Sequence, residues 1–249
     1  MNASHGKRLA GAVIVLAAVA AYVNTFGGEW VWDDASSVLL HQHVQDPGAF
    51  FQLFGEDQHA FGRGQGNFYR PLVAASFMLD YAVTGGPTPA DIKAAGKPPL
   101  GLPTLVFHFS NLVWHAAAAL LLYLLLLRVG APIAAAAMAG LIFVSHPLHT
   151  EAVAYISGRA DMMSAAFMFG GMILALTPAN GGRRWTALAG SLACFAAALL
   201  SKESSLIYPA ILGIVVVAAW LQQRRDTDGQ VRPGLLPRMI PLAGALVLL

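Results

Sequence analysis

The sequence predicts an all-α fold, a polytopic transmembrane helical bundle with a long first extracytoplasmic loop that carries short interfacial helices. Three observations predict it. Hydrophobic residues make up 57% of the 249 positions and Asp, Glu, Lys and Arg only 11%, whereas soluble domains are about a quarter charged. The apolar residues gather into runs at 9–26, 104–127, 131–145, 162–176, 185–200, 206–221 and 240–249. They read as six spans and a truncated seventh, although several runs are shorter than the roughly 20 residues that cross a bilayer. The basic residues outside these runs fall mostly in alternate connections, as the positive-inside rule requires.

The first run follows Lys7 and Arg8, which places the N-terminus on the cytoplasmic side. Ala18-Val19-Ala20 could mark a signal-peptide cleavage site. An uncleaved anchor is preferred because the apolar run continues through Tyr22 and Phe26. Arg128, Arg183, Arg184, Arg224, Arg225, Arg232 and Arg238 then fall on the cytoplasmic side as well. Of the 13 acidic residues, only Asp226 and Asp228 join them, and of the histidines only His5. The ionisable chemistry is thus concentrated on the outer face of what reads as a multi-pass protein of the cell's inner membrane.

Residues 27–103 form the first outer loop, too long for a mere connector. It opens with Glu29-Trp30-Val31-Trp32-Asp33-Asp34, an acidic pair flanked by tryptophans. Carboxylates at a membrane face are costly to hold near apolar surroundings, which marks a candidate working site. The alternative is a pair of solvated charges beside aromatic interface anchors. Neighbouring side chains diverge, so one aspartate is expected to be central and the other orienting or metal-binding. Residues 47–54 predict a short amphipathic helix beginning near its proline, and 70–83 a second one. Between them 62–67 is glycine-rich and flexible, and 85–103 is rich in proline and glycine. The glycines follow no strand and match no dinucleotide fingerprint. No nucleic-acid partner is expected.

Several runs are shorter than a full span, so their helices are expected to continue into the flanking polar motifs, which then need a protein-lined or wet cavity. One such motif, at the outer junction of the third and fourth spans, is His146-Pro147-Leu148-His149-Thr150-Glu151, followed by Tyr155, Gly158-Arg159-Ala160-Asp161. Pro147 ends the third helix, and a helix lying along the membrane face is expected after it. His149, Glu151, Arg159 and Asp161 then offer donors and acceptors around a pocket, or simply a hydrogen-bonded turn between two helices. As a zinc site the motif is weak, because the spacing that supplies two histidine ligands and a base is missing; any metal ligands stay unassigned. Lys202-Glu203, between the fifth and sixth spans, is either a local capping turn or a cation for phosphate at a cavity mouth. Tyr69-Arg70-Pro71-Leu72 puts a guanidinium, suited to bidentate phosphate binding, at the start of the second loop helix.

Cys194 has no cysteine partner. No repeat of 20–50 residues is visible. The chain ends inside an apolar run, so it is expected to be the N-terminal part of a larger membrane protein.

Trp32-Asp33-Asp34, Tyr69-Arg70-Pro71-Leu72 with Ser76-Phe77 and Asp80-Tyr81, Phe107-His108 with Asn111 and His115, the run 146–153, Gly158-Arg159-Ala160-Asp161 and Lys202-Glu203 occur together in this order. In this the chain resembles the transmembrane and tetratricopeptide-repeat O-mannosyltransferases and their bacterial relatives, within the GT-C glycosyltransferases. It departs from them in having no tetratricopeptide repeats. The resemblance implies a GT-C membrane domain that passes a mannose-like sugar from a polyprenyl-phosphate donor to an extracytoplasmic acceptor, a protein hydroxyl or a glycan. It also implies that an acidic residue of the first outer loop is catalytic, here Asp33 or Asp34. On this expectation a carboxylate, in the first instance Asp33, takes the acceptor proton as the hydroxyl attacks the anomeric carbon, with inversion. Arg159, Lys202 and Arg70 hold the departing phosphate, and His146, His149 and Glu151 orient the donor or the acidic pair. Tyr69, Asp161 and Glu203 complete the substrate site. No cofactor is required, because lysine and arginine can carry the phosphate charge; a divalent cation is compatible. A transporter of lipid-linked substrates is the competing class, disfavoured because the ionisable groups cluster at one face. A noncatalytic scaffold for a repeat domain is the third.

Overall fold

The computed structural model describes residues 3–61, 68–177 and 182–226. The expected seventh span and the glycine-rich 62–67 lie outside the described residues. Nine α-helices and several short helical turns make up the described secondary structure: α1 (Ala3–Tyr22), α2 (Pro71–Thr84), α3 (Pro89–Ala95), α4 (Leu105–Val129), α5 (Ile133–Ser145), α6 (His149–Ala154), α7 (Arg159–Ala175), α8 (Gly182–Leu199) and α9 (Tyr208–Asp226). No strand occurs among the described residues. Three helical stretches, Ser4–Gly27, Leu105–Val129 and Glu203–Gln222, are long and apolar enough to cross a membrane. The protein is a multi-pass, all-α membrane bundle.

A helix covers each of the first six apolar runs, and the two shortest runs behave differently. α7 starts at Arg159, so the Gly-Arg-Ala-Asp motif is indeed drawn into its first turn. α5 stops at Ser145 after 13 residues, about 20 Å. His146 is extended there, at ψ 128°, because the residue before a proline is pushed out of the helical region.

α4 is the central post. On one side it packs with α1 and α5 around Ile14, Ala18, Tyr123, Ala136 and Val144. On the other it meets α7, behind which α8 and α9 pack around Met172, Phe195, Tyr208 and Leu212. α1 and α5 approach closely because residue 140 is glycine: a Cβ there would lie 2.6 Å from Ile14 Cδ1.

A third core lies at one end of the bundle, where the long loop is seated. Val38, Leu39, Val44 and Leu53 of the loop pack on Val73, Phe77 and Tyr81 of α2, and on Phe107, Ile156 and Met163. The loop's two ends are fastened together, since Trp30 Nε1 donates to the Leu102 carbonyl at 2.8 Å and Thr104 Oγ1 to the Gly28 carbonyl at 2.6 Å. α2 matches the expected second loop helix, with Pro71 at its first turn and Arg70 just outside. The expected helix at 47–54 is instead two 3₁₀ turns, Pro47–Ala49 and Gln52–Gly55. Gly48 and Gly55 favour coil over helix in so short a segment, and a 3₁₀ turn still buries Ala49 and Leu53. α3 arises within the Pro/Gly-rich stretch through a capping box between Thr88 and Asp91.

Candidate active site at the loop-bearing end

The acidic pair sits in a tight turn, closed by Asp34 N–H donating to the Val31 carbonyl at 3.0 Å. The same turn is tied from the other side, because Val31 N–H donates to Asp34 Oδ2 at 3.1 Å. Asp34 is completely buried. Its Oδ1 accepts from both the backbone N–H and the hydroxyl of Ser157, at 2.9 and 2.8 Å. Burial pushes its carboxyl above the ordinary value despite these bonds. Asp34 therefore anchors the loop to the turn between α6 and α7.

That turn is itself fixed from α4. Asn111 Nδ2 lies 2.9–3.3 Å from the carbonyl oxygens of Val153, Tyr155 and Ile156, and its Oδ1 accepts from Arg159 Nε at 2.7 Å. Gly158 lets the chain fold back on α6, since a Cβ at this position would lie 2.8 Å from the carbonyl oxygens of Glu151 and Ala152. Arg159 is buried completely. It donates to Ser76 Oγ at 3.1 Å and the Phe107 carbonyl at 2.9 Å, pairs with Asp80 at 2.5 Å, and lies over the Phe77 ring. The guanidinium thus joins α7 to α2 and α4. Four of its five N–H donors face protein groups and none of it reaches the surface, so the expectation that Arg159 meets a departing phosphate does not fit this arrangement.

Asp33 has the opposite environment from its neighbour. Its side chain is exposed and makes no hydrogen bond or ion pair among the described residues. Only its backbone is held: Asp33 N–H donates to Tyr155 Oη at 3.2 Å, and the Asp33 carbonyl accepts from Ser36 Oγ at 3.0 Å. Ser36 Oγ also lies 2.6 Å from His59 Nδ1. His59 is buried, which lowers its pKa, with the Asp33 carboxylate pulling in the opposite sense and Arg70 adding to the fall. Burial, helped by repulsion from Asp33 and Asp34, pushes the Tyr155 phenol up to about 12, so it stays protonated.

The cationic groups lie close by and are occupied by carboxylates. Arg70 makes a two-pronged contact with Glu203, Nε to Oε2 at 3.1 Å and an Nη to Oε1 at 2.7 Å. Lys202 pairs with Asp161. In both pairs the acid is about half exposed, at 56% and 52%, and the cation is the more sheltered partner. The Leu72 N–H bond to the Leu200 carbonyl, 3.2 Å, fastens α2 beside the Lys202-Glu203 turn. Tyr69 is half exposed and donates to the Phe54 carbonyl at 3.0 Å.

The histidines of the 146–151 motif form an aromatic column. His149 lies against Phe143, with ring centroids 4.3 Å apart, between buried His115 and exposed His146. Burial lowers the His149 pKa, offset in part by Asp161. Glu151 is exposed. No group of three metal-ligating side chains stands together among the described residues. The predicted residues therefore fall into local groups, Arg70 with Glu203, Lys202 with Asp161 and His146 with His149, while Asp33 stands exposed and Arg159 and Asp34 are interior braces. Sequence reasoning missed Ser157, Ser36 and His59, whose only signal was their residue type, and it gave Asn111 and Asp80 no role.

Comparison with known proteins gives these residues a setting. The chain is 29% identical over 233 residues, 90% of its length, to the protein O-mannosyl-transferase Tmtc2 of Drosophila melanogaster. The chain is similar to the protein O-mannosyl-transferases. Human TMTC2 is 29% identical over 79% of the chain, and F38B6.6 of Caenorhabditis elegans, also named a protein O-mannosyl-transferase, is 28% identical over 65%. The matches span only 22–23% of the length of these relatives. No family model and no solved structure matches the chain.

Proposed function

We propose that this protein is a membrane glycosyltransferase that moves a mannose-like sugar from a polyprenyl-phosphate carrier to a hydroxyl acceptor, a protein Ser/Thr side chain. The single observation that carries the reading is the division of labour between the two aspartates. Asp34 is spent on Val31 and Ser157, while Asp33 presents a carboxylate unpaired among the described residues, on a backbone pinned at both its N–H and its carbonyl. A general base needs that combination of free lone pairs and fixed position.

Asp33 takes the proton of the acceptor hydroxyl as its oxygen attacks the anomeric carbon. The bond from that carbon to the phosphate oxygen breaks, and configuration inverts. Arg70 and Lys202 receive the phosphate, which displaces the exposed Glu203 and Asp161 carboxylates from them and so neutralises the charge left on the carrier. His149 and Glu151 flank the donor. This end of the bundle faces away from the cytoplasm and the protein sits in the cell's inner membrane, in keeping with basic residues at the opposite end, such as Lys7 and Arg128.

The test is sugar transfer from polyprenyl-phosphate mannose in membranes containing Asp33→Asn or Asp34→Asn. Asp33→Asn is expected to lose at least ~100-fold in kcat, the range of a removed general base, with thermal stability unchanged. Full activity in Asp33→Asn would sink the assignment and favour a scaffold role.

A further inference from the structure

Trp32 is the only non-glycine residue with positive φ among the described residues, at +46°. It occupies the first central position of the turn closed between Val31 and Asp34, a place where positive φ usually calls for glycine. The residue is 84% exposed. A strained backbone bearing a large exposed aromatic is costly on both counts, and such strain persists only where the surroundings enforce it. Here they do, because Asp34 grips the Val31 N–H on one flank and Ser157 on the other. The turn also sets the indole beside Tyr155, edge to face with centroids 6.1 Å apart, and the Tyr155 hydroxyl holds the Asp33 N–H.

Resting on the function proposed above, we propose that Trp32 is the platform on which the donor hexose lies, with Tyr155 as its side wall and Asp33 at its edge. One face of a hexose presents C–H bonds with partial positive charge, which match the electron-rich face of an indole. The other face and rim keep their hydroxyls for water and for Asp33. Trp30, two residues earlier, does not compete for this role, since its Nε1 is committed to Leu102 and its ring packs on Phe107. Trp32 makes no such inward commitment. Held in the left-handed turn, it projects beside the free carboxylate.

The experiment compares Trp32→Gly, Trp32→Ala and Trp32→Phe in the full-length protein, with Asp33→Asn alongside. KM for polyprenyl-phosphate mannose, KM for the acceptor and thermal stability in detergent are measured for each. Trp32→Gly and Trp32→Ala are expected to raise the donor KM about tenfold, equivalent to ~1.4 kcal/mol, and to leave the acceptor KM unchanged. Trp32→Phe keeps most of the affinity. Trp32→Gly also melts no lower than the parent, because glycine relieves the positive φ. An unchanged donor KM in Trp32→Gly, with Asp33→Asn inactive, overturns the platform and leaves the proposed function standing. A Trp32→Gly protein that melts well below the parent overturns it in favour of a structural or membrane-anchoring tryptophan. A rise confined to the acceptor KM overturns the donor assignment, and full activity in Asp33→Asn removes the proposed function and the platform with it.

Discussion

Replacing Arg159 with Leu removes a buried charge that joins α7 to α2 and α4, and the structure sets the size of the effect. The guanidinium has no exposed surface and Asp80 has 7% on its side chain, so neither charge can turn to water when the other is removed. Breaking a buried ion pair from one side costs about 3–5 kcal/mol, most of it the stranded partner. Asn111 Oδ1, Ser76 Oγ and the Phe107 carbonyl lose a donor at the same time, which keeps the figure in the upper part of that range. For a chain of this size the melting midpoint should fall by roughly 8–20 °C. The assay is thermal denaturation in detergent, followed by the monodisperse fraction on size exclusion. Arg159→Lys should recover little, because a single ammonium cannot span Asn111, Phe107 and Asp80 together. The double variant Arg159→Leu/Asp80→Leu should be less destabilised than Arg159→Leu alone, since no unpaired charge stays buried. A single variant as stable as the parent, or a double variant that loses the full sum, would refute the reasoning.

Asp34→Asn turns an NH2 group toward a donor that the carboxylate now satisfies, and should cost about 1–3 kcal/mol; melting measured beside Asp33→Asn, which should not move, separates the two aspartates. Asn111→Leu strips the Val153 carbonyl and Arg159 Nε of their partner and takes one donor from the carbonyls of Tyr155 and Ile156, which keep the N–H groups of Gly158 and Arg159; it should lower both stability and kcat, with a stability cost of about 2 kcal/mol read by the same melt. His41 supplies a pH dependence. It is fully buried among His43, His59 and Glu56, and burial lowers its pKa from 6.5 to about 4. The unfolded chain therefore binds the proton more readily, so this contribution to stability is complete above pH 6.5 and is lost as pH falls toward 4, by ~3 kcal/mol. His41→Phe should flatten that acid limb in melts between pH 4 and 7; an unchanged slope would show that His41 is not its source.

Most of the bundle was legible because its signals are local. Runs of apolar residues, the proline at 147 and the proline at 71 act within a helical turn or two of themselves, and α2, α6 and α7 fall where those signals put them. The 47–54 segment went wrong for a physical reason of the same kind: its glycines weaken a helix that the apolar spacing alone suggests. Which groups share one end of the molecule was also readable, since membrane topology sorts charges by alternation.

The sequence by itself determined an all-α membrane bundle with an acidic pair, cations and histidines gathered at one end. It favoured Asp33 over Asp34 as the base without deciding between them, and its resemblance made Arg159 a phosphate ligand. Only the tertiary structure decided that Asp34 is buried against Ser157, 123 residues away, that the Asp33 side chain is exposed and unpaired among the described residues, and that Arg159 is an interior brace. Burial and hydrogen-bond satisfaction depend on partners brought together by packing across the chain, and no pattern within a few residues of Asp33 or Arg159 records them.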